Sequence, residues 1–246
     1  MVKRRLNVRA VTSFASLKAL TAACFPIVIA ATFSASAQAA NTSTAATAMA
    51  NAAGNNAQQS KPTIVVLGDS LSAEYGLPRD TGWVSLMRQR LSSERIDYNV
   101  ANASISGDTT SGGRARLPAL MQRLKPAVVI VELGANDALR GVPLNTTEDN
   151  LRTIIEQAQQ GHAKVLLVGM YVPPNYGPDY TQKFHGLYGQ LSKQLSVPLV
   201  PFLLAGIEDK PDMFQSDQIH PTQRAQPLLL DNVWPALKPL LHTSSQ

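Results

Sequence analysis

The sequence predicts an α/β fold, a three-layer α/β/α sandwich around a five-stranded parallel sheet. Three observations predict it. Five short apolar runs alternate with amphipathic stretches of helical spacing between residues 61 and 241. The middle run, Ala127–Leu133, is apolar almost throughout, as a strand covered on both faces must be. The connections are short, and repeated β-α alternation with short links yields parallel strands with helices on both faces.

Taken in order, Thr63–Leu67 is a β-branched run of strand type that stops at Gly68-Asp69-Ser70. Trp83, Leu86 and Met87 then recur at helical spacing, and Tyr98–Ala101 is the second strand. Leu117, Leu120, Met121 and Leu124 mark a helix before the third strand, Ala127–Leu133. A further helix begins at Thr146 or Thr147, uses Leu151, Ile154, Ile155 and Ala158, and stops at Gly161. Lys164–Gly169 is the fourth strand and Leu199–Phe202 the fifth. Between them lies a helix with Tyr180, Phe184, Leu187, Tyr188, Leu191 and Leu195, and after them one with Leu229, Val233, Trp234 and Leu237. These leucine and aromatic stripes read as core.

The segment ahead of this pattern has a different character. Lys3, Arg4, Arg5 and Arg9 precede an apolar stretch from Leu20 to Phe33, and small residues end in Ala37-Gln38-Ala39. That order predicts a Sec-type signal peptide over residues 1–39; the apolar stretch is short for a membrane span. Residues 40–60 are rich in Asn, Thr, Ser, Ala and Gln, which bury too little to offset their ordering entropy, and read as a flexible linker. The domain is then residues 61–242. The leader's five positive charges equal the whole formal net charge of +5, so the rest of the chain is formally neutral. The basic balance therefore belongs to export and gives no reason to expect nucleic-acid binding. The single cysteine, Cys24, also lies in the leader, which leaves no disulfide for the domain.

Four segments fall where predicted strands end or a helix begins: Gly68-Asp69-Ser70, Asn102 to Asp108, Gly134-Ala135-Asn136-Asp137, and Asp217-Gln218-Ile219-His220-Pro221. Each alone is a turn or cap. Together they supply what a serine nucleophile requires. Ser70 needs a base within reach, and the base needs an orienting acid. His162 lies in a turn, His185 in a helix and His242 in the tail, whereas His220 stands three residues from Asp217. An oxyanion needs fixed donors, which the backbone N–H groups of Ser70 and Gly107 and the side chain of Asn136 can provide.

Ser70, Gly107, Asn136 and His220 match, in order, the four block residues of the SGNH (GDSL) hydrolases, and the Asp-x-x-His spacing is theirs too. The chain resembles that family across essentially all of Lys61–Leu241. Asn102–Thr109, Val131–Asp137, Asn175-Tyr176-Gly177, and Gly206-Ile207 through His220-Pro221 are similar to its exported thioesterase, lysophospholipase and arylesterase subgroup. Ala135 stands where that subgroup often has glycine. The resemblance implies a flavodoxin-like sandwich, a Ser70–His220–Asp217 triad, an oxyanion hole of Ser70, Gly107 and Asn136, and neither metal nor organic cofactor. It also implies a monomeric, exported (periplasmic or secreted) hydrolase of small acyl esters, thioesters or lysolipids, with transient contact to membrane lipid. A carbohydrate or peptidoglycan O-acetylesterase would use the same triad. A vestigial acyl-binding protein is disfavoured by the complete set of residue types.

Asp69 and Asp137 read as loop-shaping carboxylates that accept backbone N–H bonds. Glu132, inside an apolar strand, requires a buried donor, for which an arginine is the expectation. Arg114, Arg116 and Arg140 are candidates for an anionic head group or plain surface charges. Ala138–Pro143 and Val172–Gly177 are expected to wall the acyl pocket.

Overall fold

Thr63–Gly68 forms β1, a run that the apolar and β-branched composition of Ile64 to Leu67 suits to a strand buried on both faces. The computed structural model describes residues 61–241 apart from Pro173. The segments read as leader and linker, and His242, lie outside the described residues. β1 is followed by α1 (Trp83–Ser93), β2 (Asn99–Asn102), α2 (Thr110–Leu124), β3 (Val128–Glu132), α3 (Ala135–Leu139) and α4 (Leu144–Gln160). β4 (Lys164–Val168), α5 (Pro178–Leu195), β5 (Leu199–Val200) and α6 (Gln226–Leu237) complete the series.

All pairings are parallel, in the order β2-β1-β3-β4-β5, the flavodoxin-like arrangement. Right-handed crossovers send the β1-to-β2 helix to one face and the helices after β2, β3 and β4 to the other. The packing agrees. α1 lies against α6, while α2 packs on α4 and α4 on α5. The sheet is sandwiched between two helical layers. Ile64 to Leu67, Val128 to Val131 and Leu166 to Val168 are essentially without solvent exposure, and Trp83, Leu151, Ile154, Phe184, Tyr188 and Leu229 cover them. The strand ends share one edge because the register pairs Gly68 with Glu132 and Val66 with Asn102.

Three expectations change. The helix expected at Thr146 or Thr147 begins at Leu144, because the carbonyl of Pro143 accepts the N–H groups of both threonines. The short helix α3 was not expected. Five residues show no periodicity, and its sequence reads as a turn. β5 ends at Val200, since Pro201 has no N–H to continue the ladder.

Ile130, at the centre of β3, is fully buried. Ile130→Ala should lower unfolding stability by about 2–5 kcal/mol, read from urea midpoints. An unchanged midpoint would show that the core does not centre on this strand.

Candidate active site

The strand-to-turn junction after β1 is tightly built. The N–H groups of Ser72 and Ala73 donate to the Asp69 carbonyl at 3.3 and 3.0 Å, and Leu71 N–H donates to Asp69 Oδ1 at 3.0 Å. Ser70 thereby sits half-buried on a closed turn at the edge of the sheet. Gly68 is required by close approach. A Cβ there would lie 2.7 Å from Glu132 Oε2, 2.8 Å from Ser72 Oγ and 2.9 Å from Ser104 Oγ.

Glu132 is wholly buried beneath this turn. Its Oε2 accepts from Ser72 Oγ at 2.7 Å and from Asp69 N–H at 3.3 Å. The arginine expected as its partner is not there; a serine hydroxyl and a backbone amide take that place. Burial, then the neighbouring Asp69, push its pKa well above the usual carboxylate range, which lessens the need for a countercharge.

The loop before α6 brings its histidine to the same edge. His220 Nε2 lies 2.9 Å from Ser70 Oγ, and His220 Nδ1 lies 2.7 Å from Asp217 Oδ2. Asp217 Oδ1 also accepts the N–H groups of Ile219 and His220, both at 3.0 Å. With Gln218 at φ 55° the segment makes a closed turn. The His220 backbone N–H foremost holds the Asp217 carboxyl down to about 2.

Gln215 ties this loop to the serine. Its N–H donates to the His220 carbonyl at 2.7 Å, and its side-chain nitrogen donates to the carbonyls of Tyr75 at 2.9 Å and Pro221 at 3.2 Å. The Tyr75 ring sits 4.4 Å from that of His220. Neither residue carries a motif or periodicity that a sequence reading would pick out.

Asn136 stands in α3, whose start Gly134 enables with φ 121°. Asn136 Nδ2 donates to Asp69 Oδ2 and to the Asp108 carbonyl, each at 3.0 Å, joining the loops after β1, β2 and β3. Gly107 has φ 79°, a left-handed conformation that suits glycine. Arg140 fixes that peptide by donating to the Gly107 carbonyl at 2.7 Å. Among the described residues, the backbone N–H groups of Ser70 and Gly107 have no acceptor. Both expected loop-shaping roles are visible: Asp69 accepts the Leu71 N–H, and Asp137 accepts the Thr110 N–H at 2.8 Å.

All three arginines are already engaged. Arg116 donates to Asp108 Oδ2 at 2.8 Å and to the carbonyls of Ala103 and Gly68, and Arg114 donates to Asn150. Arg116 is partly buried, while Arg114 and Arg140 are exposed, Arg140 beside Gly107. A cleft of about 740 Å³ lies beside the Val172–Gly177 loop, lined by Tyr171, Pro178, Thr181, Gln182 and His185. His185 stacks on Tyr171 at 3.7 Å. Ala138, expected to wall the acyl pocket, is buried, while its neighbour Leu139 faces solvent. Each strand-end loop exposes one large apolar side chain: Tyr75, Ile105, Leu139, Tyr171 and Ile219 after β1 to β5 in turn. Among the described residues no three His, Cys, Asp or Glu side chains are grouped to hold a metal ion, and no helix is long and apolar enough to cross a membrane.

The chain is similar to known proteins. Residues 66–226 match the GDSL-like lipase/acylhydrolase family. Esterase TesA of Pseudomonas aeruginosa is 51% identical over 184 residues, 75% of this chain and 92% of that protein. The thioesterase 1/protease 1/lysophospholipase L1 of Escherichia coli is 42% identical over 183 residues, 74% of this chain and 86% of that protein. A crystal structure of TesA superposes with a TM-score of 0.71 at 52% identity, covering 73% of this chain and 99% of that one.

The hydrogen bonds set the expected pH response. His220 Nε2 can take the Ser70 proton only when the ring is neutral, and histidine side chains change charge between about pH 5 and 8. Asp217, held down to about 2, is ionised across that range and adds no limb of its own. Burial foremost raises Asp69 to about 6, so it loses its proton in the same direction. kcat/KM for an activated ester should therefore rise from pH 5 to 8. A flat profile would remove His220 as the base.

Proposed function

The chain belongs to the GDSL-like lipase/acylhydrolase family and is an ester hydrolase, and from that premise we propose that it cleaves esters and thioesters of lipid-like acyl groups through an acyl-enzyme on Ser70. One observation carries the reading: the unbroken hydrogen-bonded run from Ser70 Oγ through His220 to Asp217, at 2.9 and 2.7 Å, on the carboxyl edge of the sheet. The hydroxyl attacks the acyl carbonyl while His220 Nε2 takes its proton, and Asp217 holds the ring and offsets the imidazolium charge. The backbone N–H groups of Ser70 and Gly107, with Asn136 Nδ2, donate to the oxyanion; each such donor is worth about 10²–10³ in rate. The tetrahedral intermediate collapses as His220 returns the proton to the departing alcohol or thiol. Water then attacks the acyl-enzyme with His220 again as base, and releases the acid.

The exposed apolar side chains of the five strand-end loops favour an acyl chain over a sugar as the group the mouth receives. The relatives' names, which include thioesterase and lysophospholipase, are of the same kind. Arg140 at the rim suits a phosphate-bearing head group. The cationic, apolar and small-residue order of residues 1–39 supports export from the cytosol. An exported enzyme meets lysolipids and free esters rather than acyl-CoA.

A p-nitrophenyl ester series from acetyl to palmitoyl tests the substrate class. Turnover should persist beyond the shortest chains, and Ser70→Ala should lose on the order of 10⁴-fold or more in kcat. Turnover confined to acetyl would instead support an O-acetylesterase, and near-native activity in Ser70→Ala would remove the nucleophile. Expressed in full in a bacterial host, the protein should be recovered outside the cytosol with its N-terminus just after Ala39. An intact Met1 start on cytosolic protein would count against export.

A further inference from the structure

The two N–H groups of the Asn136 carboxamide are both taken in the resting site, by Asp69 Oδ2 and by the Asp108 carbonyl at 3.0 Å each. A carboxylate and a carbonyl only accept, so the orientation of the carboxamide is forced. Its nitrogen must face the nucleophile turn. Of the two acceptors, the Asp108 carbonyl belongs to the loop that carries Gly107, and the Asp69 carboxylate is one residue from Ser70.

Asp69 is otherwise an expensive residue in this place. It is 1% exposed, and its side chain has no cation in hydrogen-bond contact. Glu132 faces it from β3, Asp108 from the loop before α2 and His220 from the loop before α6, while Arg116 pairs with Asp108 and donates to the Gly68 carbonyl rather than to Asp69. Burial foremost raises its pKa to about 6 from an ordinary value of 3.8. The folded chain therefore binds this proton more tightly than the unfolded one, and stability falls as pH rises from about 4 through 6. Stability alone gives no reason to keep a carboxylate here.

Resting on the hydrolase reading above, we propose that Asp69 is a positioning residue, whose carboxylate holds the Asn136 carboxamide with its nitrogen rather than its oxygen beside the nucleophile turn before substrate arrives. When charge develops on the acyl oxygen, one N–H passes from its resting acceptor to that oxygen without the carboxamide having to turn over, and a donor fixed in this way is where electrostatic catalysis gains most. Asp69 Oδ1 meanwhile anchors to the Leu71 N–H, so one side chain sets nucleophile turn and donor at a fixed separation.

Asp69→Asn keeps the shape and supplies one acceptor where two are needed. Either Leu71 N–H or Asn136 Nδ2 then faces another donor, and the latter is free to turn. With a short p-nitrophenyl ester, kcat should fall about 10²–10³-fold with KM little changed. The deciding measurement is the double variant. If Asp69 acts through Asn136, Asp69→Asn with Asn136→Ala should match Asn136→Ala alone in kcat, because the same donor is lost once. Losses that multiply would overturn the proposal while leaving the hydrolase reading intact. Native kcat in Asn136→Ala would overturn the donor assignment itself, and the proposal with it. Should Asp69→Asn fail to fold, His220→Ala still serves: the side-chain N–H resonances of Asn136 should shift as Asp69 ionises near pH 6 with that imidazole gone, and their invariance would overturn the proposal.

Discussion

Gly68 and Glu132 pair at the point where β1 and β3 both end, and the rest of the site depends on that register. It places a buried acid under a position too crowded for any Cβ, so the chain must turn there and the serine must follow at the edge. It also starts the loop after β3 level with the loop after β1. Asn136 can then reach Asp69 across a gap of sixty-seven residues of sequence. A shift of one residue would reverse the faces of every side chain in the strand and bury the wrong set. The fully buried core of both strands prevents that shift. Packing that looks purely structural therefore fixes the catalytic geometry.

Three carboxyl groups within this edge are shifted differently by their surroundings. Glu132, enclosed and bonded to one hydroxyl and one amide, has its pKa pushed well above the usual carboxylate range by burial. Asp69, buried but bonded to two N–H donors, ionises at about 6. Asp217, at the surface and bonded to two backbone N–H groups and an imidazole, is ionised from about 2 upward. The gradient runs from the inside of the sheet outward. It favours negative charge on Asp217, where an imidazolium needs it, and disfavours it on the deepest acid below the serine.

Much of this was legible in the residues, for reasons that differ between layers. The parallel sheet was visible because β3 is apolar from Val128 to Val131, and strands covered on both faces read that way. Strand ends were visible because glycine and small polar residues interrupt apolar runs. The convergence of Ser70, Gly107, Asn136, Asp217 and His220 on one edge followed from those ends. What was not legible depends on contacts between distant segments. Nothing local marks Gln215 as the link between the serine and histidine loops, or shows Arg116 turned inward to carbonyls of β1 and the β2 loop. Glu132 made the limit plain. Its need for a partner was readable, but the cost of burying an acid can be lowered by a raised pKa as well as by an arginine, and only the packing distinguishes the two.

The division between sheet and loops also explains how such a site tolerates costs that a core would not. Burying Asp69 opposes folding at neutral pH, and Tyr75, Ile105, Leu139, Tyr171 and Ile219 leave apolar surface in water. Both features sit on segments beyond the strand ends, which are held largely by hydrogen bonds to one another, as from Asn136 to Asp69 and from Gln215 to Tyr75. The stability that offsets them comes from β1, β3 and β4, whose apolar side chains are buried. Because the two jobs fall to different residues, loop side chains are free to change with the acyl group they receive. The constraint that remains is the spacing of Ser70 and Asn136. Asp69 couples those two directly, which makes it the point where fold and chemistry cannot be varied separately.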